Sequence, residues 1–487
     1  MRSDKVVWIG LAVLLIALRT TILLLGSSTG ELSGDAPVYF KAALHLVETG
    51  TLPPLGIQPR GYPVLISPII AAFPHHAVVA VQIFEVFLDV ALVSALGVIA
   101  WRTVAPYSVV LAGLTVVAVA IQPFTATMIG LYTEPANTFL LTASLLMFAR
   151  SFVKATVPVA ASFLLGLSAI TRTELIPLAV AFCGVYWLLI VGHKGLQFWR
   201  SGWMKQCGAS LVIMLVAAII PLMGLIALQA ASTGEFGVIR WQPWNPGYYA
   251  WMRTWFADRK EYPRFHFDVG QPGWEGFRLA AYPKRAFANN EEQAQIAELL
   301  KKWQAETYTP EVDEAFAAIA KAKRVHAPVT YFLTIPLLRM AHFWINLDGA
   351  QSFLRVVHIQ RPYSLGIVGI TVALRAFFIL FAAIGAVAVW KPTSASHLPL
   401  FLGALGRAAS ILIALRTVEL GILGTLVWGG LMEIRFANIT FPAVILLAIV
   451  GVRKLTLMSW LDQHPHALKS LRGVQSSPPS TATPSAV

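Results

Sequence analysis

Charged residues are scarce in this 487-residue chain, at 13% of the total, whereas apolar residues make up 57% and the mean hydropathy is +0.67. A soluble domain carries about 25% charged residues, so an ordinary cytosolic enzyme and a disordered scaffold are excluded. The formal net charge is +13, but the long polar stretch 232–326 holds 13 basic and 12 acidic residues. The basic excess therefore lies in short segments between apolar runs, which is typical of membrane proteins and excludes a nucleic-acid partner.

Cysteine is nearly absent, since only Cys183 and Cys207 occur, both in or beside apolar runs. This excludes a disulfide framework and a CxxC metal site and indicates small buried residues. No P-loop, GxGxxG, GxSxG or HExxH motif occurs where it could act, so nucleotide-driven transport and serine or zinc hydrolysis lose support. We expect neither a cofactor nor a bound metal.

Long apolar runs predict an all-α polytopic membrane protein with about ten to twelve transmembrane helices, since about 20 residues span a bilayer. The first run, 6–25, lacks a cleavage pattern, which indicates a retained helix and not a signal peptide. Loops at one side carry Arg and Lys, and alternate loops carry acids. The positive-inside rule then predicts a protein of the cytoplasmic (inner) membrane with both termini in the cytoplasm.

The distribution of polar residues predicts four regions. Residues 1–231 form an N-terminal transmembrane region that includes a first outer loop, 26–63. Residues 232–330 form an extracytoplasmic helical loop domain, in which Asn290 precedes one amphipathic helix and Thr309-Pro310 opens a second. Residues 331–454 form a C-terminal transmembrane region. Residues 455–487 end in SSPPSTATPSAV and are expected to be a disordered cytoplasmic tail.

The first outer loop carries a candidate catalytic carboxylate, Asp35. Tyr39, Ala43 and Leu46 share one helical face, so a short amphipathic helix along the membrane surface is expected after Asp35. Proline residues stiffen the second half of the loop, which leads back to the membrane. The loop therefore holds the carboxylate at a fixed depth near the interface. A plain helix N-cap explains Asp35 equally well.

Other charged side chains are predicted at the same face of the membrane. Any one of these residues is explained by an ordinary side chain whose charge lies at the membrane–water interface. Taken together, hairpins from four parts of the chain can surround one pocket in which Arg binds a phosphate or oxyanion and a carboxylate accepts a proton. The residues of this set beyond Asp35 are Glu134, Arg172, Glu174, Glu433 and Arg435.

Glu85 and Asp89 lie one helical turn apart inside a predicted span. Charges within a bilayer usually face the bundle interior or pair together, so a structural ion pair explains them at least as well as catalysis. Two functional classes follow: an enzyme acting on a membrane-embedded substrate, or a transporter or flippase. A transporter tends to have paired inverted halves and broken helices. The gathering of candidate groups at one face favours the enzyme.

The order of these segments resembles the GT-C membrane glycosyltransferases, in the branch of the protein O-mannosyltransferases and the bacterial aminoarabinose transferase of lipid A. The likeness covers nearly the whole chain except its tail, and it depends on the order and spacing of several short motifs. After one N-terminal span these are Asp35…Tyr39…Ala43…Gly50, Pro59-Arg-Gly-Tyr-Pro63, Thr133-Glu-Pro135, Gly166-Leu-Ser-Ala-Ile-Thr-Arg172-Thr-Glu174, Ala327-Pro-Val-Thr-Tyr331…Leu338-Arg339…Trp344 and Arg435-Phe436…Pro442.

The resemblance implies a GT-C-like bundle that transfers a sugar from a polyprenyl-phosphate donor to a hydroxyl of a lipid, glycan or protein acceptor on the outer side. Asp35 would be the general base of an inverting reaction, and Glu134 a second pocket acid. Ala36 stands where the family often has a further acid, which puts a metal role there in doubt. By position, Arg172 and Arg435 would neutralise the lipid phosphate, with Arg60 a weaker candidate. Tyr62, Glu174 and Glu433 complete the implied substrate-binding set.

Overall fold

The computed structural model describes eleven stretches of the chain and seven single positions. The stretches are 35–55, 58–121, 133–154, 156–173, 175–193, 203–237, 245–257, 269–345, 361–391, 398–419 and 434–464. The single positions are Gly10, Val13, Ile16, Ala17, Leu32, Glu261 and Phe265. The predicted first span, 6–25, lies mostly outside the described residues.

Helices are the only regular secondary structure in the described part of the chain, which contains no strand. In chain order the helices are α1 (Ala36–Thr49), α2 (Gly61–Ala72), α3 (Ala77–Val104), α4 (Val109–Ile121), α5 (Thr133–Val153), α6 (Val159–Thr171), α7 (Leu175–His193), α8 (Trp203–Thr233), α9 (Pro246–Met252), α10 (Asn290–Ala305), α11 (Pro310–His326), α12 (Ile335–Ile345), α13 (Arg361–Trp390), α14 (Leu400–Val418) and α15 (Ile434–Gln463). Short 3₁₀ helices lie between α9 and α10, and one π turn, Thr330–Thr334, precedes α12.

Six described helices are long and apolar enough to cross a membrane, and they fall within α3, α5, α8, α13, α14 and α15. Shorter apolar helices are α2, α4, α6 and most of α7. This is the architecture of an α-helical polytopic membrane protein. Many large apolar side chains on α3, α4 and α8 face outward, as lipid-facing positions do.

The main core forms where α5, α6, α7, α13, α14 and α15 pack together. Glycine permits the closest approach of α13 and α15. A Cβ atom on Gly385 would lie 2.0 Å from the Leu447 carbonyl oxygen, and one on Gly451 would lie 2.0 Å from that of Phe381. Small residues of this kind bring helix backbones into contact in membrane proteins, where packing replaces the hydrophobic driving force.

The last helix differs from the sequence prediction. The disordered tail was expected to begin at residue 455, whereas α15 continues to Gln463. Trp460 packs edge-on against Tyr107, with ring centroids 6.3 Å apart, and Arg453 donates a hydrogen bond to the Tyr107 hydroxyl at 2.9 Å. These contacts hold two further turns of helix against the connection between α3 and α4. Residues 465–487 lie outside the described residues.

The polar segment has its own core, made by α9, α10, α11 and the turns between them. Buried aromatic rings dominate it, including Trp251, Trp255 and Trp303. The predicted helices are confirmed with a small shift, because the N-cap of α10 is Asn289, whose side chain accepts a hydrogen bond from the Glu292 amide. Thr309 caps α11 in the same way, with Pro310 at its first position.

Alkaline pH should unfold this polar segment. Burial raises the pKa of Tyr249 from 10.0 to about 12, and burial also raises the pKa values of Tyr248, Tyr282 and Tyr308. The folded segment therefore keeps phenol protons that the unfolded chain releases above pH 10, so its stability is intact below pH 10 and falls as the pH rises toward 12. Ultraviolet absorbance of tyrosinate and circular dichroism of the purified chain should change together. Tyr249→Phe should move the transition to higher pH. Titration near pH 10 without loss of helix would contradict this expectation.

Candidate functional site

The first part of the site is a buried ion pair between two consecutive helices. α5 begins at Thr133 with Glu134 in its first turn, and α6 ends just before Arg172. Arg172 Nη1 donates to Glu134 Oε1 at 2.5 Å, and the side chains are 8% and 3% exposed. Thr133 Oγ1 lies 3.4 Å from Arg172 Nη1 and 3.3 Å from Glu134 Oε2. Two of the predicted site residues are thus in direct contact.

Beside this ion pair, the side-chain amide of Asn137 fixes the position of α5 relative to α6. Asn137, one turn after Glu134, donates from Nδ2 to the Ser168 carbonyl at 2.7 Å and to Thr171 Oγ1 at 2.9 Å. All three side chains are buried. Because Arg172 directly follows Thr171, these bonds place the guanidinium opposite the first turn of α5.

Tyr62 links α2 to α3 at the same end of the bundle. Its hydroxyl donates to the carboxylate of Glu85, and both side chains are fully buried. Its ring packs edge-on against Tyr39 of α1, with centroids 5.4 Å apart, and lies within electrostatic reach of Glu134. Glu85, for which the sequence leaves a structural ion pair and a catalytic role open, therefore accepts a hydrogen bond from a phenol.

A close contact sets the depth of α2 against α6. A Cβ atom on Gly61 would lie 2.2 Å from the Ile170 carbonyl oxygen, two residues before Arg172. Only glycine permits this approach, since the backbone of α6 cannot move aside without disturbing the residues that follow it. The contact therefore fixes Tyr62 relative to Arg172.

Gly61→Ala should lower the free energy of unfolding by about 1–3 kcal/mol, because its methyl group overlaps backbone atoms. Thermal unfolding of the detergent-purified chain measures the loss. Gly184→Ala in α7 is the matched control, since a Cβ atom there has no neighbour within 4 Å. The control should be neutral or more stable by up to about 1 kcal/mol. Equal stability of the two variants would show that the α2–α6 contact is not tight.

Asp35 lies at the N-cap position of α1, but its side chain forms no capping hydrogen bond to the helix. Gln58 Nε2 donates to Asp35 Oδ1 at 3.4 Å from the returning part of the loop. The next residue, Ala36, belongs to an apolar cluster with Tyr39, Tyr62 and Ala136. Asp35 therefore begins the helix that packs on the elements carrying Tyr62 and Glu134.

The loop between α1 and α2 is fastened to the end of α8. The Leu52 amide donates to Ser232 Oγ at 2.9 Å, and the Leu55 amide donates to Glu235 Oε2 at 2.7 Å. Within the loop, Arg60 Nη2 donates to the Pro54 carbonyl at 2.5 Å. These bonds hold the backbone around Arg60 in one conformation.

Arg60 is a buried cation in this loop, with 7% of its surface exposed. Burial lowers the pKa of Arg60, and the negative charge of Glu235 and the Tyr39 phenol oppose that shift. Its Nε atom has no hydrogen-bond partner among the described residues. Arg60 therefore retains a donor for an anionic group.

The remaining predicted site residues are not described. Glu174 and Glu433 lie outside the described residues. Arg435 lies in the first turn of α15, but its side chain is not among those described. In the described part of the chain, no group of three His, Cys, Asp or Glu residues is placed to hold a metal ion.

Glu134, Arg172 and Tyr62 lie at the end of the bundle where α5 begins and α6 ends, and Asp35 opens the helix whose Tyr39 packs on Tyr62. These residues include carboxylates that can accept a proton and a guanidinium group that can bind an anion, on helices that are otherwise apolar. Such groups inside a membrane protein are costly and mark functional positions. Comparisons with protein-family models, curated proteins and solved structures found no match to this chain.

Sequence reasoning assigned no role in this region to Gln58, Asn137 or Glu235, and it kept Glu85 apart from Tyr62. Glu85 and Asn137 carried a usable signal, because a polar residue inside an apolar helix needs a buried partner. Gln58 and Glu235 carried none, since they lie in loops whose contacts depend on the fold.

Proposed function

We propose that this protein is a membrane glycosyltransferase that moves a sugar from a polyprenyl-phosphate donor to a hydroxyl of a lipid, glycan or protein acceptor. The observation that carries the proposal is the buried Glu134–Arg172 pair, with Asp35 at the start of the helix whose Tyr39 packs on Tyr62. This set combines a base and an anion-binding cation at the end of apolar helices, and in this proposal a lipid-borne substrate reaches it from the membrane.

In the proposed reaction, Asp35 removes the proton from the acceptor hydroxyl. The acceptor oxygen attacks the anomeric carbon from the face opposite the phosphate, and the carbon–oxygen bond to the phosphate breaks. The bonding electron pair leaves on the polyprenyl phosphate, so the anomeric configuration inverts. No general acid is required, because a lipid phosphate is already an adequate leaving group and a cation can stabilise its developing charge.

The cations available for the leaving phosphate are Arg172 and Arg60. Arg172 donates to Glu134 Oε1 at 2.5 Å and to Thr133 Oγ1 at 3.4 Å, so its guanidinium is positioned at the start of α5. Glu134 then holds Arg172 in position and carries a charge that reaches Tyr62. In this proposal Glu134 also orients the acceptor hydroxyl toward Asp35.

The finer topology belongs to the same proposal. The proposed count of about ten to twelve spans adds the four shorter apolar helices and the run 6–25 to the six long helices. The site would face outward from the cytoplasmic membrane, with both termini inside. That orientation is supported by the basic residues Arg102, Arg150 and Lys154 at the opposite ends of the helices that carry the site.

A second candidate function is transport or flipping of lipid-linked saccharides. It is favoured by one observation: Glu85 and Asp89 are both buried one turn apart in α3. Buried acids in a span are typical of ion and substrate pathways. In a flippase, Glu85→Gln should impair function more than Asp35→Asn; in the transferase the order is reversed.

The test uses the detergent-purified chain with a panel of polyprenyl-phosphate monosaccharides and a membrane lipid extract. Mass spectrometry follows the release of free polyprenyl phosphate and the appearance of a glycosylated product. Release from one donor by the wild-type chain, lost in Asp35→Asn, is the expected result and identifies the sugar. Failure to turn over any donor, with the fold intact, would favour the flippase.

A further inference from the structure

The chain leaves the helix bundle for the polar segment at the end where α5 begins and α6 ends. The last turn of α8 holds the loop that leads to α2, because Ser232 Oγ accepts a hydrogen bond from the Leu52 amide at 2.9 Å. That loop is followed by α2, whose first residue, Gly61, lies against the Ile170 carbonyl near the end of α6. The polar segment, which follows α8, therefore starts at this end of the bundle.

The chain also returns to the bundle at this end. α13, which follows α12 in the chain, runs parallel to α15: the Phe378 and Phe441 rings lie edge-on with centroids 5.9 Å apart, and later in both helices Gly385 meets Gly451. α15 ends against Tyr107, which lies just beyond the last residue of α3, whereas the earlier turns of α3 pack on α2. Both α13 and α15 therefore run away from the end where α5 begins, and α13 starts there.

The connection between α8 and α13 contains α12 and the π turn before it. Since α8 and α13 both contain candidate membrane spans and meet the connection at one end, the connection cannot cross the membrane an odd number of times. A crossing by α12 would need a return crossing by residues 346–360. That stretch includes Asp348, Arg355 and His358, which are disfavoured in a bilayer. A position of α12 along the membrane surface satisfies both conditions.

The helical run 328–341, which contains the π turn and the described side chains of α12, exposes one apolar face. Four of its large side chains are each more than half exposed: Val329, Phe332, Leu333 and Leu337. Tyr331 and Ile335 of the same run are buried. A helix with one apolar face at the level of the membrane surface has the pattern of an interfacial amphipathic helix.

The buried face of this run is fastened to the polar segment. Arg339 is completely buried, its Nε donates to the Phe256 carbonyl at 2.7 Å, and its Nη2 donates to the Arg253 carbonyl at 2.8 Å. Both carbonyls follow α9, which belongs to the aromatic core of the polar segment. The polar segment therefore occupies one face of the run and leaves the apolar face for another partner.

The charge around the run favours a phospholipid surface as that partner. No acidic residue occurs in the sequence from 315 to 347, whereas Lys321, Lys323, Arg324 and Arg339 do. Lys321 is exposed and Arg324 is half-buried in the last two turns of α11, directly before the run. Basic residues beside an apolar helix face are complementary to lipid phosphates above acyl chains.

We propose that residues 328–341 lie along the surface of the membrane without crossing it. The four exposed apolar side chains contact the acyl chains of phospholipids, and Lys321 and Arg324 lie at the level of the phosphates. Through Arg339, the run holds the polar segment against the membrane at the end of the bundle where α5 begins. This placement is independent of the proposed transfer reaction.

Electron paramagnetic resonance of spin-labelled cysteines tests the placement in the full chain, reconstituted in vesicles of phosphatidylethanolamine and phosphatidylglycerol. Val329→Cys and Leu337→Cys are labelled one at a time in a background of Cys183→Ala and Cys207→Ala. Collision rates with oxygen, which partitions into lipid, and with a water-soluble nickel chelate give the depth of each label. Both labels should lie below the phosphates, at depths that agree to within about one helical turn, ~5 Å.

A run that crosses the membrane would separate the two labels by about 12 Å in depth, since eight residues rise about 1.5 Å each. That result would overturn the proposal. Glu314→Cys, exposed on α11, is the aqueous reference, and Val216→Cys, on the outward face of α8, is the reference for the bilayer interior. Nickel collisions as frequent at Val329 as at Glu314 would also overturn it, because the apolar face would then lie in water.

Radical footprinting tests the same point on the unmodified chain in the same vesicles, so the result does not depend on the folding of a variant. Hydroxyl radicals from X-ray radiolysis oxidise phenylalanine side chains that water reaches, and mass spectrometry gives the rate for each. Phe332 is 61% exposed, whereas Phe277 of the polar segment is half-buried, so Phe332 would be oxidised faster if water covered both. We expect the reverse order, because lipid covers Phe332. Faster oxidation of Phe332 would refute the placement.

Discussion

Arg172→Gln is expected to lose both stability and transfer activity. It leaves the carboxylate of Glu134 buried without its cation, and breaking a buried pair in this way costs about 3–5 kcal/mol. It also removes a cation proposed to stabilise the leaving phosphate, for which a loss of about 10²–10³ in rate is typical. Thermal unfolding and product formation by the detergent-purified chain measure the two effects separately.

A double variant separates the structural role from the catalytic one. Arg172→Gln combined with Glu134→Gln replaces both charges by amides that can still bond to each other, so most of the stability should return. Activity should stay at least about 10² below the wild type. Arg150→Gln, on the exposed far end of α5, is the control and should change neither quantity. Wild-type turnover in the stable double variant would exclude a role for this pair in transfer.

Asp35→Asn is expected to reduce transfer by about 10²–10⁴ while leaving the fold unchanged. Asparagine has the same shape and can still accept the hydrogen bond from Gln58, but it does not accept the acceptor's proton. Since the Asp35 side chain does not cap α1, no capping bond is lost. The rate of product formation at saturating donor should fall far more than the donor affinity changes.

Glu48→Gln provides the matched control for Asp35→Asn, because Glu48 is an exposed acid near the other end of the same helix. It should transfer sugar like the wild type. Substantial turnover in Asp35→Asn, above about a tenth of the wild-type rate, would assign the proton transfer to another group. A larger loss of function in Glu85→Gln than in Asp35→Asn would favour the flippase, whose substrate pathway would pass Glu85 and Asp89 of α3.

The helices could be predicted from the sequence because each apolar run has a spanning or half-spanning length and ends at charged or proline-rich residues. Their ends were less predictable. α5 begins at Thr133, where Glu134 and Pro135 suit a first turn, although the apolar run begins only at 136. α15 passes its predicted end because Arg453 and Trp460 contact Tyr107, a residue more than three hundred positions earlier.

The candidate site was predictable as a set of residues but not as a set of contacts. Charge alternation indicated that Arg172 and Glu134 lie at one face, yet periodicity does not specify which side chains meet. Their pairing follows from the antiparallel packing of α5 and α6 and from the bonds of Asn137. The link between Tyr62 and Glu85 depends on the hairpin of α2 and α3, and the Gly61 contact places α2 against α6.

The most direct test of the proposed transferase follows the sugar itself. Sealed proteoliposomes containing the purified chain, a sugar-labelled polyprenyl-phosphate donor and the acceptor extract are sampled over time. The label is scored both for covalent transfer and for movement across the bilayer as intact donor. A transferase attaches the label to an acceptor and leaves free polyprenyl phosphate, and Asp35→Asn stops both. Label that crosses the bilayer still joined to its lipid, in the wild type and in Asp35→Asn alike, would contradict the proposal.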